Sequence, residues 1–212
     1  MAEIHSEEGG QKYILRKKGA FKPRQKTGEE VAEEYAIMQG VSGEEFEQMF
    51  FGEKINWRRI AEKYGVDITA YMDPKKCIQF ITEHYPENRT IIPEKKVSRD
   101  LYDVVAEGLG IDLDTVDLEY LQNHLRFYSS LYTSLDYYNG VDGFFEYIDP
   151  KGHHIYCALD TTQNPYKAEY KADLKVMGFP DYKKHMDDYL KWLDFMGKKV
   201  VYVLQTKRPD WI

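Results

Sequence analysis

The run from Gly143 to Thr162, GFFEYIDPKGHHIYCALDTT, constrains this chain more than any other stretch. Aromatic and β-branched residues fill GFFEYID and HHIYCALDTT, and the polar PKG between them predicts a β-hairpin. The second segment is apolar from Ile155 through Leu159 without alternation, so both of its faces need cover. A strand covered on both faces requires a layer above the sheet and another below it. The neighbouring segments with three- and four-residue apolar spacing are helices suited to form those layers. The expected class is α/β, with α+β as its variant: a helical N-terminal region, then a small mixed sheet flanked by helices.

The remaining elements follow from spacing and punctuation. Val31, Tyr35 and Met38, then Phe46, Met49 and Phe50, predict two short helices separated by the Gly40–Gly43 turn. Trp57, Ile60, Ala61 and Tyr64 share one helical face that ends at Gly65. Pro74 follows too soon for a recognition helix, so a plain helical hairpin is expected there and not a DNA reader. Asp73 and Pro74 open the next helix as cap and first residue, with Cys77, Ile78, Phe80 and Ile81 on its apolar side. Pro86, Pro93 and the charged run 94–96 mark a connector. A helix capped by Ser98 runs to Gly110, and 114–138 reads as the longest helix of the chain. After the hairpin, YKAEYKADLKV is an edge strand or an irregular loop. Residues 181–196 form an amphipathic helix stopped by Gly197, and KKVVYVLQTK is a last strand, apolar on both faces. Three regions result: a basic polar arm over 1–28, a helical region over 29–97, and an α/β core over 98–212.

Size and charge exclude several classes. The 212 residues suffice for one substantial core. A net charge of -7 argues against a protein that coats nucleic acid through bulk attraction. The basic cluster Arg16, Lys17, Lys18, Lys22, Arg24 and Lys26 is the exception, an arm suited to phosphates or an acidic protein partner. Cys77 and Cys157 have no metal-ligand spacing and read as buried free thiols of a reducing compartment. With no signal-type or membrane-spanning run, the expected location is cytoplasmic or virion-associated, with no membrane contact.

Chemistry is expected where two interior strands end in polar residues on a shared rim. On that reading Asp160, ending the second hairpin strand, meets Gln205 and Lys207 on the last strand, with the 181–196 helix as crossover. The carboxylate and the amide oxygen suit Mg²⁺ or Mn²⁺, and the lysine suits a water that attacks a phosphodiester.

These residues resemble the core of the PD-(D/E)XK nuclease superfamily, in which an acid ends one strand and an acid-x-Lys, or Gln-x-Lys, lies on the next. The resemblance covers residues 115–212. It rests on Asp160 in CALDTT and on Gln205-x-Lys207, with Glu169-x-Lys171 as the competing pair closer to Asp160. It implies a restriction-endonuclease-like core and a divalent-metal-dependent nuclease, or a degenerate relative that binds nucleic acid without cutting it. Glu119 on the preceding helix and Glu146 on the first hairpin strand are the further metal-ligand candidates it suggests.

The rival expectation is a non-enzymatic component of a virion, such as a phage-like particle, or of another large complex. It would use the basic arm and a tyrosine-rich surface to bind a protein partner or a second copy of itself. The ladder Tyr128, Tyr132, Tyr137 and Tyr138 suits base stacking, and its helical spacing favours core or interface packing ahead of that. His153, His154 and Cys157 read as a hairpin turn with a packed thiol, ahead of a soft-metal site.

Overall fold

The computed structural model describes residues 26–35, 42–87, 89–162 and 171–207. Residues 1–25 of the 1–28 arm, Met38 and Gly40 of the first expected helix and turn, and Glu169 lie outside the described residues. The elements run α1 (Gly28–Glu34), α2 (Gly43–Phe51), α3 (Trp57–Glu62), α4 (Pro74–Glu83), α5 (Lys96–Gly108), α6 (Leu118–His124), β1 (Leu125–Ser129), α7 (Ser134–Asn139), β2 (Gly143–Ile148), β3 (His154–Thr161), β4 (Leu174–Val176) and α8 (Met186–Thr206). The strands form one four-stranded sheet in the order β1-β2-β3-β4. The first three are antiparallel and β4 runs parallel to β3. Helices with a small mixed sheet make this an α/β fold, as the hairpin demands.

The sheet divides two cores. Phe127, Phe145, Ile155, Cys157, Leu159 and Val176 face one side, where α2, α5 and α8 cover them. Tyr128, Phe144 and Ala158 face the other, beneath α3, α4 and Leu135 of α7. The N-terminal helices therefore complete both cores. Asp73 caps α4 as expected, accepting from the amides of Lys75 and Lys76, with Pro74 at the first helical position.

Two expected elements are corrected. The run 114–138 is not one helix: it breaks into α6, β1 and α7. Phe127 packs into one core and Tyr128 into the other, so this short stretch sends large side chains to both faces, a pattern shared by a buried helix turn and a two-face-buried strand. Pairing with β2 along Leu125↔Tyr147 to Ser129↔Gly143 decides for the strand.

KKVVYVLQTK is the end of α8 and not a strand. Tyr189, Trp192, Leu193, Met196, Val200 and Leu204 keep helical spacing straight through it and lie buried. Gly197 is a contact point and not a terminator. A Cβ there would lie 2.4 Å from Val104 Cγ1, and one at Gly108 would lie 2.7 Å from Val201 Cγ2. Each glycine is a notch for the valine of the opposite helix, so α5 and α8 approach closely. The substitution Gly197→Leu is expected to destabilise by about 1–3 kcal/mol through overpacking, read as a fall in Tm. Val104→Ala in the same chain should recover part of the loss, as a double-mutant cycle can measure.

Candidate active site

Hairpin register determines what stands beside Asp160. Gly143 pairs with Leu159, and one step further Asp142 comes opposite Asp160. The Asp142 amide donates to Leu159 O at 2.9 Å, extending the ladder to that point. On the other side of β3, Asp160 pairs with Lys175 of β4. Three neighbouring chain segments thus carry Asp142, Asp160 and Lys175 in one row at the carboxyl end of β3, with backbones about 5 Å apart. Asp142 and Asp160 are both buried, at 4% and 1% exposure.

Asp142 is held by the strand it faces. Its Oδ2 accepts from the Thr161 amide and from the Thr161 hydroxyl, each at 2.6 Å. Burial nevertheless raises its carboxyl to about 7. The Thr161 hydrogen bonds oppose that rise, while the nearby charges of Asp136 and Asp160 add to it. Glu47, on α2, is also raised to about 7, first by burial and then by Asp136, Glu44 and Asp160, against the pull of Lys54. Four carboxylates from α2, α7 and the β2–β3 pair therefore sense one another at this end of the sheet.

A lip of tighter contacts borders the cluster. Tyr132, between β1 and α7, adopts a left-handed backbone with φ 67°, an uncommon conformation for an aromatic residue. Its amide donates to Asp136 Oδ2 at 2.7 Å, and its ring lies 4.4 Å from Lys54 Nζ. Lys54 also pairs with Glu44. Backbone strain is thereby offset by contacts that orient Asp136.

The two residues expected to complete the site with Asp160 are elsewhere. Gln205 is exposed on α8. Lys207 follows the last turn of α8, and its Nζ contacts Asp173 Oδ2 at 2.6 Å and Oδ1 at 2.8 Å. Asp173 Oδ2 also accepts from the Ala158 amide at 2.8 Å, so this pair clamps the end of α8 to the sheet. The expected shared rim fails because its second strand is a helix. Lys171 is exposed and donates to Tyr138 O of α7 at 3.3 Å. Glu119 is exposed on α6, before the amino end of β1, whereas Asp160 lies two strands away at the end of the sheet that holds the carboxyl end of β1.

Glu146 is on β2 four residues from Asp142, about 13 Å along the strand. It is buried and accepts from Tyr128 OH at 3.1 Å, Tyr156 OH at 3.0 Å and His154 Nδ1 at 2.7 Å, with Arg126 Nη1 at 3.5 Å. It belongs to a separate polar network. Tyr128 is consumed in that network, whereas Tyr137 and Tyr138 are exposed on α7. Cys77 and Cys157 are both buried free thiols.

Asp142, Glu47, Asp136 and Lys175 escaped the sequence reading. A signal existed for two of them. Centring the hairpin on its PKG turn pairs Asp142 with Asp160, and Asp173-x-Lys175 is an acid-x-lysine that opens and enters the strand after Asp160. Nothing local in the chain marks Glu47 or Asp136.

The electrostatics predict a pH dependence of stability. A carboxyl whose folded pKa is raised binds its proton more tightly folded than unfolded, so the contribution of these two groups to stability is full below the unfolded value near 4 and is lost as pH rises toward 7. Thermal melts should show Tm decreasing from pH 5 to pH 8. Asp142→Asn, which keeps an acceptor for Thr161, should flatten that decrease.

Among the described residues, no group of three or more His, Cys, Asp or Glu side chains is arranged to hold a metal ion unaided. The available donors in the row are hard carboxylate oxygens, a set that suits Mg²⁺ or Mn²⁺ when water and substrate phosphate complete the shell. Among the described residues, no helix is long and apolar enough to cross a membrane. No protein-family model, curated protein or solved structure matches the chain.

Proposed function

We propose that this protein is a divalent-metal-dependent hydrolase of nucleic-acid phosphodiesters, related to the PD-(D/E)XK nucleases, with its site at the carboxyl end of β3. The observation that carries this reading is the row Asp142–Asp160–Lys175 on three adjacent segments. Two carboxylates beside one lysine is the combination the chemistry needs. Like-charged acids in a buried place repel, and a bound cation would relieve that repulsion.

Asp142 and Asp160 would hold the cation, with Glu47 or Asp136 reaching it through water. A bound Mg²⁺ or Mn²⁺ would supply Lewis acidity toward the phosphate and lower the pKa of a bound water. Lys175, in register with Asp160, would steady the attacking water and offset negative charge developing on the phosphate. Thr161 keeps the Asp142 carboxylate in one orientation through its amide and hydroxyl. This assignment replaces Gln205 and Lys207.

A degenerate relative that binds without cutting is the second reading. One observation favours it: Asp142 spends one carboxylate oxygen on two short hydrogen bonds from Thr161, the arrangement of a structural aspartate. The exposed tyrosines Tyr64, Tyr71, Tyr120, Tyr137, Tyr138 and Tyr202 suit a contact surface in either case.

Incubation with single- and double-stranded DNA and RNA in Mg²⁺ or Mn²⁺ separates the readings. Hydrolysis is expected to fall at least about a hundredfold in Asp142→Asn, Asp160→Asn and Lys175→Gln. It should persist in Gln205→Ala, which lies on the exposed side of α8. No cleavage of any substrate, with nucleic-acid binding retained, would select the binding-only relative. Cleavage unaffected by all three row variants would remove the site from this end of the sheet.

A further inference from the structure

The network around Glu146 opens into a cleft of about 620 Å³ between α4 and the sheet. Its floor is a row across three strands, since Arg126 pairs with Glu146 and Glu146 with Tyr156. Its wall is one face of α4, which presents Lys75, Gln79 and Thr82 at helical spacing. The volume lies in the range of small-ligand sites.

Several features fix the polar side chains of this cleft before any ligand arrives. Glu146 is only 2% exposed at its side chain, and its oxygens receive Tyr128, Tyr156 and His154 as described. Glu146 engages His154 at Nδ1, so Nε2 is the nitrogen of this half-exposed ring that Glu146 does not use. Arg126 is anchored twice: its Nε donates to Gln122 O at 2.7 Å, and its Nη1 lies 3.5 Å from Glu146 Oε2. A guanidinium has five N–H donors, more than these contacts use. The other acid on the wall, Glu83, accepts from Gln79 Nε2 at 2.7 Å. A buried carboxylate surrounded by aromatic hydroxyls, an arginine and a histidine thus serves to aim the arginine and the imidazole.

We propose that this cleft binds a phosphate-class anion, held by Arg126 and His154 and approached by Lys75. A planar guanidinium fork and an imidazole, each held by an oxygen of the same carboxylate, are donors that phosphate oxygens accept, whereas the Thr82 hydroxyl is spent on Gln79 O at 3.0 Å. The proposal is independent of the carboxylate row, whose negative charges would repel the same ligand. Free phosphate, a mononucleotide and a nucleic-acid backbone all present this chemistry, and they are separable by titration.

The full chain, with chelator present to keep divalent ions from the carboxylate row, is titrated by calorimetry with inorganic phosphate, with adenosine monophosphate and with a short single-stranded oligonucleotide. At least one should saturate, and Arg126→Gln and His154→Gln should each weaken it about tenfold or more, as loss of one charge-assisted hydrogen bond implies. Lys75→Gln, at an exposed position, should weaken it by a smaller factor. It serves as the variant least prone to disturb folding, and a melt of each protein confirms the fold. Saturation by phosphate or the mononucleotide identifies a small-molecule site, and saturation by the oligonucleotide alone identifies a backbone-phosphate subsite. Asp142→Asn should bind like the unaltered chain, so failure of the nuclease reading leaves this result intact. Absence of saturation with all three ligands, or equal affinity in all three cleft variants, overturns the proposal.

Discussion

The pairing of β2 with β3 is the constraint on which the rest of the molecule depends. Because the register is Gly143↔Leu159, Asp142 arrives opposite Asp160 at one end, and Glu146 arrives opposite Tyr156 nearer the other. A slip of one residue would send each of these side chains to the opposite face of the sheet. Phe145 and Phe144 prevent it, since each is fully buried in a different core. Hydrophobic pinning of the register therefore sets the spacing of the polar groups, and both candidate sites inherit their geometry from it.

The helices determine how those polar groups are surrounded. Close packing of α5 on α8 through the Gly108 and Gly197 notches keeps the first core tight, and Lys207 binding Asp173 ties the end of α8 to the amide of Ala158 on β3. The lysine expected to act in hydrolysis is thus part of what holds the sheet in place. On the opposite face α4 stands over the Arg126–Glu146–Tyr156 row, leaving a cleft where the polar side chains of that row meet the helix. The carboxylate row and the cleft lie about 13 Å apart along β2 with Phe144 between them, so they share a scaffold without sharing polar side chains.

Much of this was legible in the residues, and the failures have physical causes. The hairpin, the two-face burial of β3 and the capped start of α4 follow from alternation, turn residues and Asp73-Pro74. The polar Asp160-Thr161 after the apolar run marks the end of β3. VVYV misled because β-branched residues fit a strand and a buried helix alike, and only the spacing from Tyr189 onward distinguishes them. Gly197 looked like a stop because sequence does not separate a glycine that ends a helix from one that admits a neighbour. Glu47 and Asp136 come from segments that meet the hairpin only through tertiary packing, so no spacing rule reaches them.

The central claim is that Asp142 and Asp160 together take up a divalent cation. Calorimetric titration with Mn²⁺ at pH 7 tests it most directly when repeated in buffers of different ionisation enthalpy. Binding must displace protons from carboxyls raised to about 7, so the account predicts saturable binding, proton release, and loss of both in Asp142→Asn and in Asp160→Asn. Mn²⁺ binding that survives both substitutions, or no saturable binding in the unaltered chain, would contradict it.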